Sequence, residues 1–146
     1  MAGLRFDKHI ATALGDLGQL AQKRKRYDAA ERFYRQSVEL ARKIDDKEVQ
    51  TVGIGYQGRL AIDTGKWAEA REWCEQALAL ARKIGHIEVI AQAQHGLARV
   101  YEAEGRADLA LPLAQEALAI YERLQHRDLA ETRELVERLQ GRQPPP

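Results

Sequence analysis

The sequence has one cysteine, four prolines and no long apolar run. A single thiol, Cys74, excludes an internal disulfide and is common in intracellular proteins, so we expect a cytoplasmic location. No apolar stretch approaches the roughly 20 residues that span a bilayer, and the first ten residues lack the apolar core of a secretory signal. Lys and Arg number 23 against 22 Asp and Glu. We therefore expect neither nucleic acid nor a membrane as partner.

The sequence also lacks the residue patterns that carry catalysis or bind metals. No two of the four histidines are spaced i, i+4, and none has a cysteine ligand nearby, which argues against a metal site. Cys74 has no histidine at helical spacing and is interpreted as a small buried hydrophobe. His86 and His126 are expected to be exposed loop residues. Without a phosphate-binding glycine loop or a nucleophile elbow, we expect neither an enzyme nor a cofactor.

What the sequence does contain is a repeat of 40 residues. The segment ELARKIDDKEV ends at Val49 and returns as ALARKIGHIEV, which ends at Val89. Small residues keep the same step, as Ala30, Ala70 and Ala110 show. A fixed period of this size is typical of stacked supersecondary units, each of which is too small to bury its apolar face alone.

Each period contains two amphipathic helices, judged by apolar spacing. The prediction is an all-α chain of three helical hairpins and a capping helix, with repeats over about 10–49, 50–89 and 90–129. The helices are expected at 7–24, 27–44, 47–64, 67–84, 87–104, 107–125 and 128–140. Residues 1–140 would form a single domain. The segment 141–146 ends in three prolines and is expected to be a disordered tail or a linker.

Several local features refine this prediction. The turn at Lys25 lacks the glycine that the later turns have, so it should be less sharply defined. Asp46 and Asp128 are predicted helix N-caps. Pro112 predicts a late helix start or a kink. The glycines of helix 47–64 indicate either tight packing or a hinge, and both tryptophans are expected in the core.

The recurring positions resemble the tetratricopeptide repeat, whose unit has small residues at its eighth, twentieth and twenty-seventh positions. With Ala30 as the twentieth, these positions hold small residues in all three units: Gly18, Gly58 and Ala98 at the eighth, and Ser37, Ala77 and Ala117 at the twenty-seventh. Gln57 departs from the large apolar seventh position, which Leu17 and Leu97 keep. The period of 40 in place of 34 resembles the subgroup found in kinesin light chains and in bacterial regulators related to the maltose-operon activator.

The resemblance implies a right-handed superhelix whose first helices line a concave wall, and a non-catalytic module that binds a peptide or a partner domain. A scaffold or sensor segment of a bacterial regulator is the expected setting. The family's inward positions give the candidate peptide-binding set: Thr12, Gln19, Lys23, Val52, Tyr56, Arg59, Asp63, Gln92, His95, Arg99 and Glu102. The lysine–asparagine clamp with which some members hold chaperone tails is absent.

The sequence leaves two questions open, one about the two arginines and one about the whole chain. Arg59 and Arg99 lie one period apart and would either bind carboxylates of an acidic peptide or pair with Asp63 and Glu102 on their own helices. The second question is the function of the whole chain. In place of a peptide-binding module, it would be a structural unit that self-associates into a homo-oligomer. Its contact would be the exposed face of the first helix, which bears Leu4, Phe6 and Ile10.

Overall fold

The structure, a computed structural model, describes residues 2–142, apart from the side chains of Ala2 and Leu4. Within that range the chain forms seven α-helices and no strand, which confirms the predicted all-α fold. The helices are α1 (Ala2–Lys23), α2 (Tyr27–Lys43), α3 (Lys47–Asp63), α4 (Trp67–Ile84), α5 (Ile87–Ala103), α6 (Ala107–Leu124) and α7 (Leu129–Gln140).

Helix α1 is longer than predicted, and one of the two alternatives at Pro112 is excluded. Helix α1 begins at Ala2 rather than at residue 7, because the apolar spacing continues backwards from Ile10 to Phe6. Helix α6 begins at Ala107 with Pro112 inside it, so the predicted late start is wrong. A proline near the second turn removes one backbone bond, and the fully buried Ala110 and Ala114 hold this part of α6 against its neighbours. The kink at Pro112 stays a prediction.

The helices form three hairpins, α1–α2, α3–α4 and α5–α6, which stack in chain order and are followed by α7. Helix α1 contacts α3, and α3 contacts α5, so the first helices of the hairpins lie side by side. Within residues 2–142, no comparable contact joins α2 to α4 or α4 to α6. The second helices are therefore spread further apart than the first helices, and the stack curves with α1, α3 and α5 on its inner side.

Small residues allow this close stacking. Ala30, Ala70 and Ala110 are fully buried where the two helices of a hairpin cross. The glycines of α3 lie against three different helices, since Gly53 faces Val38 of α2, Gly58 faces Cys74 of α4 and Gly55 faces Gln92 of α5. Of the two interpretations of these glycines, the structure supports tight packing.

All six interhelical turns adopt one conformation. A residue with positive φ recurs every 20 positions, and the six are Lys25, Asp45, Gly65, Gly85, Gly105 and Gln125. The amide that follows each of them donates to a carbonyl five residues back, as Arg26 does to Ala21 and Lys66 to Ala61, both at 2.8 Å. This is the Schellman arrangement. The prediction of a less defined turn at Lys25 is wrong, because lysine adopts the left-handed conformation there despite its Cβ.

The two predicted N-caps have different outcomes. The carboxylate of Asp46 accepts a hydrogen bond from the Val49 amide at 3.0 Å, which confirms it as the cap of α3. Asp128 precedes α7, but its side chain accepts no capping bond from a described residue and points to Arg59 instead. His86 caps α5, where its Nδ1 accepts from the Val89 amide at 3.3 Å. It is half-buried, so its prediction as an exposed loop residue is wrong.

Helix α7 covers the end of the stack. Its buried apolar residues, Leu135, Val136 and Leu139, pack into one cluster with Ala98, Ala110 and Ala114. Its remaining surface is mostly charged. Gly141 and Arg142 form a turn after α7, while the rest of the predicted tail, 143–146, lies outside the described residues. None of the described helices is long and apolar enough to cross a membrane.

Candidate functional site

The candidate site lies on the inner side of the stack, where α3 and α5 meet the start of α7. We call the surface formed by α1, α3 and α5, together with the adjoining face of α7, the inner wall. Five of the predicted peptide-binding residues line one pocket of this wall: Arg59, Asp63, Gln92, His95 and Arg99. The inward positions that the resemblance to the tetratricopeptide repeat implies therefore include five of the polar groups at the centre of the wall.

Glycine and a thiol form the floor of this central pocket. Gly55 and Gly96 line it together with Cys74 of α4. A Cβ atom added to Gly96 would lie 2.5 Å from the Cys74 sulfur, so the missing side chain allows α4 to approach α5 closely. Burial raises the pKa of Cys74 to about 12, which keeps the thiol protonated at neutral pH. The structure thus confirms Cys74 as a buried apolar group.

Both predicted arginines face the pocket, and each has one long ionic contact. Arg59 Nη1 lies 3.4 Å from Asp128 Oδ2, and Arg99 Nε lies 3.6 Å from Glu102 Oε1. Arg99 therefore has the neighbour that the sequence suggested, whereas Arg59 pairs with Asp128 and not with Asp63. Asp63 instead accepts a hydrogen bond of 2.6 Å from Gln22 of α1.

His95 lies between the two arginines and is mostly buried. Its Nδ1 is 3.0 Å from the Thr132 hydroxyl, and its Nε2 is 3.8 Å from a Glu131 carboxylate oxygen. Burial, reinforced by the charges of Arg99 and Arg59, lowers the pKa of His95 to about 4. The imidazole is therefore neutral at physiological pH and acts as a hydrogen-bonding group rather than as a cation.

Glu102 lies at the edge of the wall in an arginine cluster. Arg138 binds it through Nε at 2.6 Å and Nη2 at 3.0 Å, and Arg142 adds a bond of 3.0 Å. Hydrogen bonding to Arg138, followed by the charges of Arg138, Arg142 and Arg99, holds the pKa of the Glu102 carboxyl below its usual value. Glu102 therefore connects α5 to α7 and is less free to meet a partner than the sequence suggested.

The remaining predicted residues lie towards the N-terminal end of the wall. Thr12, Val52 and Tyr56 line a second depression between α1 and α3. The ring of Tyr56 packs against that of Tyr34, with centroids 5.3 Å apart. Gln19 is half-buried on α1 and Lys23 is exposed at the end of that helix. Neither of these two residues lines the central pocket.

Sequence reasoning missed the groups that close the pocket on its C-terminal side. Tyr121, Asp128 and Glu131 line it from the end of α6 and the start of α7. His126 stacks on Tyr121 with ring centroids 4.6 Å apart and contacts Glu88 at 2.9 Å, so its prediction as an exposed loop residue is wrong. The only sequence signal was the position of His126 and Asp128 at the last repeat junction.

The prediction that both tryptophans belong to the core has a mixed outcome, since Trp67 and Trp73 pack against core clusters but are only half-buried. Among residues 2–142, no group of three or more histidine, cysteine or acidic side chains is arranged as a metal site.

Comparisons with known proteins agree with this architecture. The crystal structure of BtubC (BKLC) from P. vanneervenii is similar at a TM-score of 0.71 and 20% identity, over 93% of this chain and 61% of that one. The chain thus spans less than two thirds of BtubC. The N-terminal domain of stress-induced protein-1 (STI-1) from C. elegans is similar at 0.64 and 22% identity, over 88% of this chain and 96% of that one.

No curated protein matches the sequence. Family models do match it, however, over most of the stack. Two models described as tetratricopeptide repeat match residues 10–44 and 55–123. The recurring small residues and the repeated hairpins agree with these matches. The chain therefore belongs to the tetratricopeptide repeat family.

Proposed function

We propose that the chain is an interaction module whose inner wall binds a polypeptide segment, with a carboxylate of that segment placed between Arg59 and Arg99. Tetratricopeptide repeats generally mediate protein–protein interaction, and their fold is non-catalytic. A scaffold or sensor segment of a bacterial regulator is the setting we propose. Residues 1–140 would act there as one binding unit.

The observation that carries this proposal is that both guanidinium groups open into one pocket while each has only one long ionic contact. The side chains of Arg59 and Arg99 are 38% and 32% exposed. Arg99 Nε is buried and has no hydrogen-bond acceptor in residues 2–142. A partner's carboxylate that replaces the contacts of 3.4 and 3.6 Å with shorter bidentate bonds would gain binding free energy, since charge-assisted bonds are worth about 1.5–3 kcal/mol.

Calorimetric titration with a Glu-Ser-Gly repeat peptide and the matching Gln-Ser-Gly peptide tests the proposal. The acidic peptide should bind about tenfold more tightly than the amide peptide, and Arg59→Gln or Arg99→Gln should remove most of that difference. Arg42→Gln is the matched control, because Arg42 is an exposed arginine on α2. Equal affinity for the two peptides, or equal loss in the control, would contradict the proposed role of the arginines.

A second candidate function, self-association, is favoured by the apolar face of α1. Phe6 is 70% exposed, and Ile10, Leu17 and Leu20 are each 45% exposed. Leu4 shares this helix, although its side chain lies outside the described part of the chain. In the later units, Leu60, Leu97 and Val100 occupy the positions of Leu20 and Leu17 and are buried in the stack. We propose that two copies bury this face against each other.

Light scattering over a dilution series checks this second candidate. The protein should shift from dimer to monomer on dilution, and Leu17→Glu should hold it monomeric at every concentration. Leu109→Glu is the control, since Leu109 is a partly exposed leucine on α6. A strict monomer at high concentration would exclude self-association through this face.

A further inference from the structure

A groove on the outer side of the stack, away from the inner wall, has a composition that the inner-wall function does not explain. It lies between the first turns of α2 and α4, above the C-terminal half of α3, and encloses about 280 Å³. Four carboxylates line it: Asp28, Glu31, Glu69 and Glu72. We call it the acidic groove. Acidic residues in first turns stabilise the helix dipole, so the carboxylates alone do not define a site.

Gln57 supplies a second, independent observation. Its side chain lines the acidic groove, it is only 8% exposed, and its Oε1 has no hydrogen-bond donor within residues 2–142. A buried carbonyl without a donor has lost its hydrogen bonds to water and has gained none from the protein, which is unfavourable. The other two units have leucine at this position, Leu17 and Leu97, so the repeat itself has no need for an amide here. A ligand that carries N–H groups would satisfy Gln57.

Another unit of the repeat shows how a guanidinium group can be held at the equivalent position. In the next unit, Arg71 of α4 binds Glu104 and lies 5.2 Å from the ring centroid of Tyr101, so a guanidinium group of the chain itself is held at this position of the repeat. The residue equivalent to Arg71 beside the acidic groove is Glu31, a carboxylate that pairs with Arg35 of its own helix at 2.6 Å. The residues equivalent to Glu104 and Tyr101 are Thr64 and Ala61, so the chain itself places no guanidinium group there.

Aromatic surface is available in the acidic groove as well. Trp73 and Tyr27 both line it and are half-buried. A cation over the face of tryptophan is stabilised by the ring quadrupole, and the planar guanidinium stacks more readily than a lysine ammonium does. Lys66 is the one basic side chain in the lining, so the carboxylates dominate the local charge.

We propose that the acidic groove binds an arginine side chain of a partner polypeptide. The guanidinium stacks against Trp73, pairs with the carboxylates of Glu69 and Glu72, and donates a hydrogen bond to Gln57. Its five donors in a fixed fork can serve the carboxylates and the amide together, which an ammonium group cannot do in the same plane. The proposal does not depend on peptide binding at the inner wall, because it uses the opposite side of the stack.

NMR titration of the whole chain with three acetylated, amidated tripeptides tests this proposal. The peptides are Gly-Arg-Gly, Gly-Lys-Gly and Gly-citrulline-Gly, in which citrulline is the neutral isostere of arginine. The arginine peptide should shift the indole N–H signal of Trp73 saturably and leave that of Trp67 unchanged. The lysine peptide should bind several-fold more weakly and citrulline should not bind.

Variants distinguish binding in the acidic groove from general electrostatic attraction of the peptide to the protein. Glu69→Gln combined with Glu72→Gln should weaken binding of the arginine peptide about tenfold. The control, Glu39→Gln combined with Glu75→Gln, removes the same charge from exposed positions on α2 and α4, the two helices that border the acidic groove, and should change little. Gln57→Leu should remove the preference for arginine over lysine. No saturable shift of Trp73, equal binding of citrulline, or equal effects of the two double variants would overturn the proposal.

Discussion

A methyl group added to Gly18 would lie 2.4 Å from the ring of Tyr34. That ring is almost completely buried, and its hydroxyl donates a hydrogen bond of 2.7 Å to Gln22. The ring therefore cannot move without breaking a contact between α1 and α2. At Gly58 and Gly96 the same role falls to the Cys74 sulfur, which approaches both glycines. The close fit between neighbouring helices thus depends on the lack of a side chain at each of these glycines.

We predict that Gly18→Ala lowers the free energy of unfolding. Overpacking costs about 1–3 kcal/mol, and the higher helix propensity of alanine offsets up to about 1 kcal/mol of this. Gly3→Ala is the matched control on the same helix, because nothing lies within 4 Å of a Cβ atom there. Urea denaturation should show a loss for the first variant and none for the second; equal stability of the two would contradict close packing at Gly18.

The lowered pKa of His95 predicts how the free energy of unfolding depends on pH. Its pKa of about 4 in the folded protein lies below the ordinary 6.5, so below pH 6.5 the unfolded chain binds a proton that the folded chain does not. Stability should therefore be unaffected by His95 above pH 6.5 and fall by about 2 kcal/mol between pH 6.5 and 5.

The loss of stability should continue until the pH reaches about 4, where folded His95 also takes up its proton. Denaturant titrations at several pH values check this. His95→Gln keeps a partner for Thr132 and should remove most of the slope between pH 6.5 and 5. An unchanged slope in that variant would show that other groups cause it.

The interhelical turns form the next level of organisation. Glycine occupies the left-handed position in three turns, and lysine, aspartate or glutamine occupies it in the other three. Since every turn has the same backbone hydrogen bond, the stack needs this geometry whatever the residue. The left-handed conformation costs roughly 1–2 kcal/mol for a residue with a Cβ atom. The turns at Lys25, Asp45 and Gln125 are therefore the strained ones.

We predict opposite effects of two substitutions at equivalent turn positions. Lys25→Gly should raise the free energy of unfolding by about 0.5–1 kcal/mol, and Gly65→Ala should lower it by about 1 kcal/mol. No atom lies within 4 Å of a Cβ atom at Gly65, so its change would be a backbone effect alone. Thermal or urea unfolding measures both. A destabilised Lys25→Gly variant would indicate that the lysine side chain contributes contacts that outweigh the strain.

At the scale of the whole molecule, most of the architecture follows from the repeat. Apolar spacing within the 40-residue period predicted the hairpins, and the resemblance to the tetratricopeptide repeat implied the buried crossing points and the inward position of the two arginines. Predictions from local residue preferences were wrong where packing decides the conformation. The examples are the turn at Lys25 and the start of the helix that contains Pro112. Packing between hairpins holds these segments in regular geometry despite their unfavourable residues.

The parts that could not be predicted involve contacts across long stretches of sequence. Arg59 and Asp128 meet because the junction before α7 reaches the pocket that α3 and α5 line, and no spacing rule connects those two positions. The apolar register of α7 slips against the repeat, so equivalence could not place Thr132 beside His95. The acidic groove likewise combines carboxylates of α2 and α4 around residues of α3, and no spacing within one repeat connects these positions.

Backbone amide shifts during titration with the acidic Glu-Ser-Gly repeat peptide test the central claim most directly, because they locate the bound segment on the stack. The account predicts saturable shifts on α3, α5 and the start of α7, centred on Arg59, His95 and Arg99. It also predicts unchanged signals for the outer turns of α2 and α4. Shifts confined to α2, α4 and α6 would contradict an inner-wall binding site.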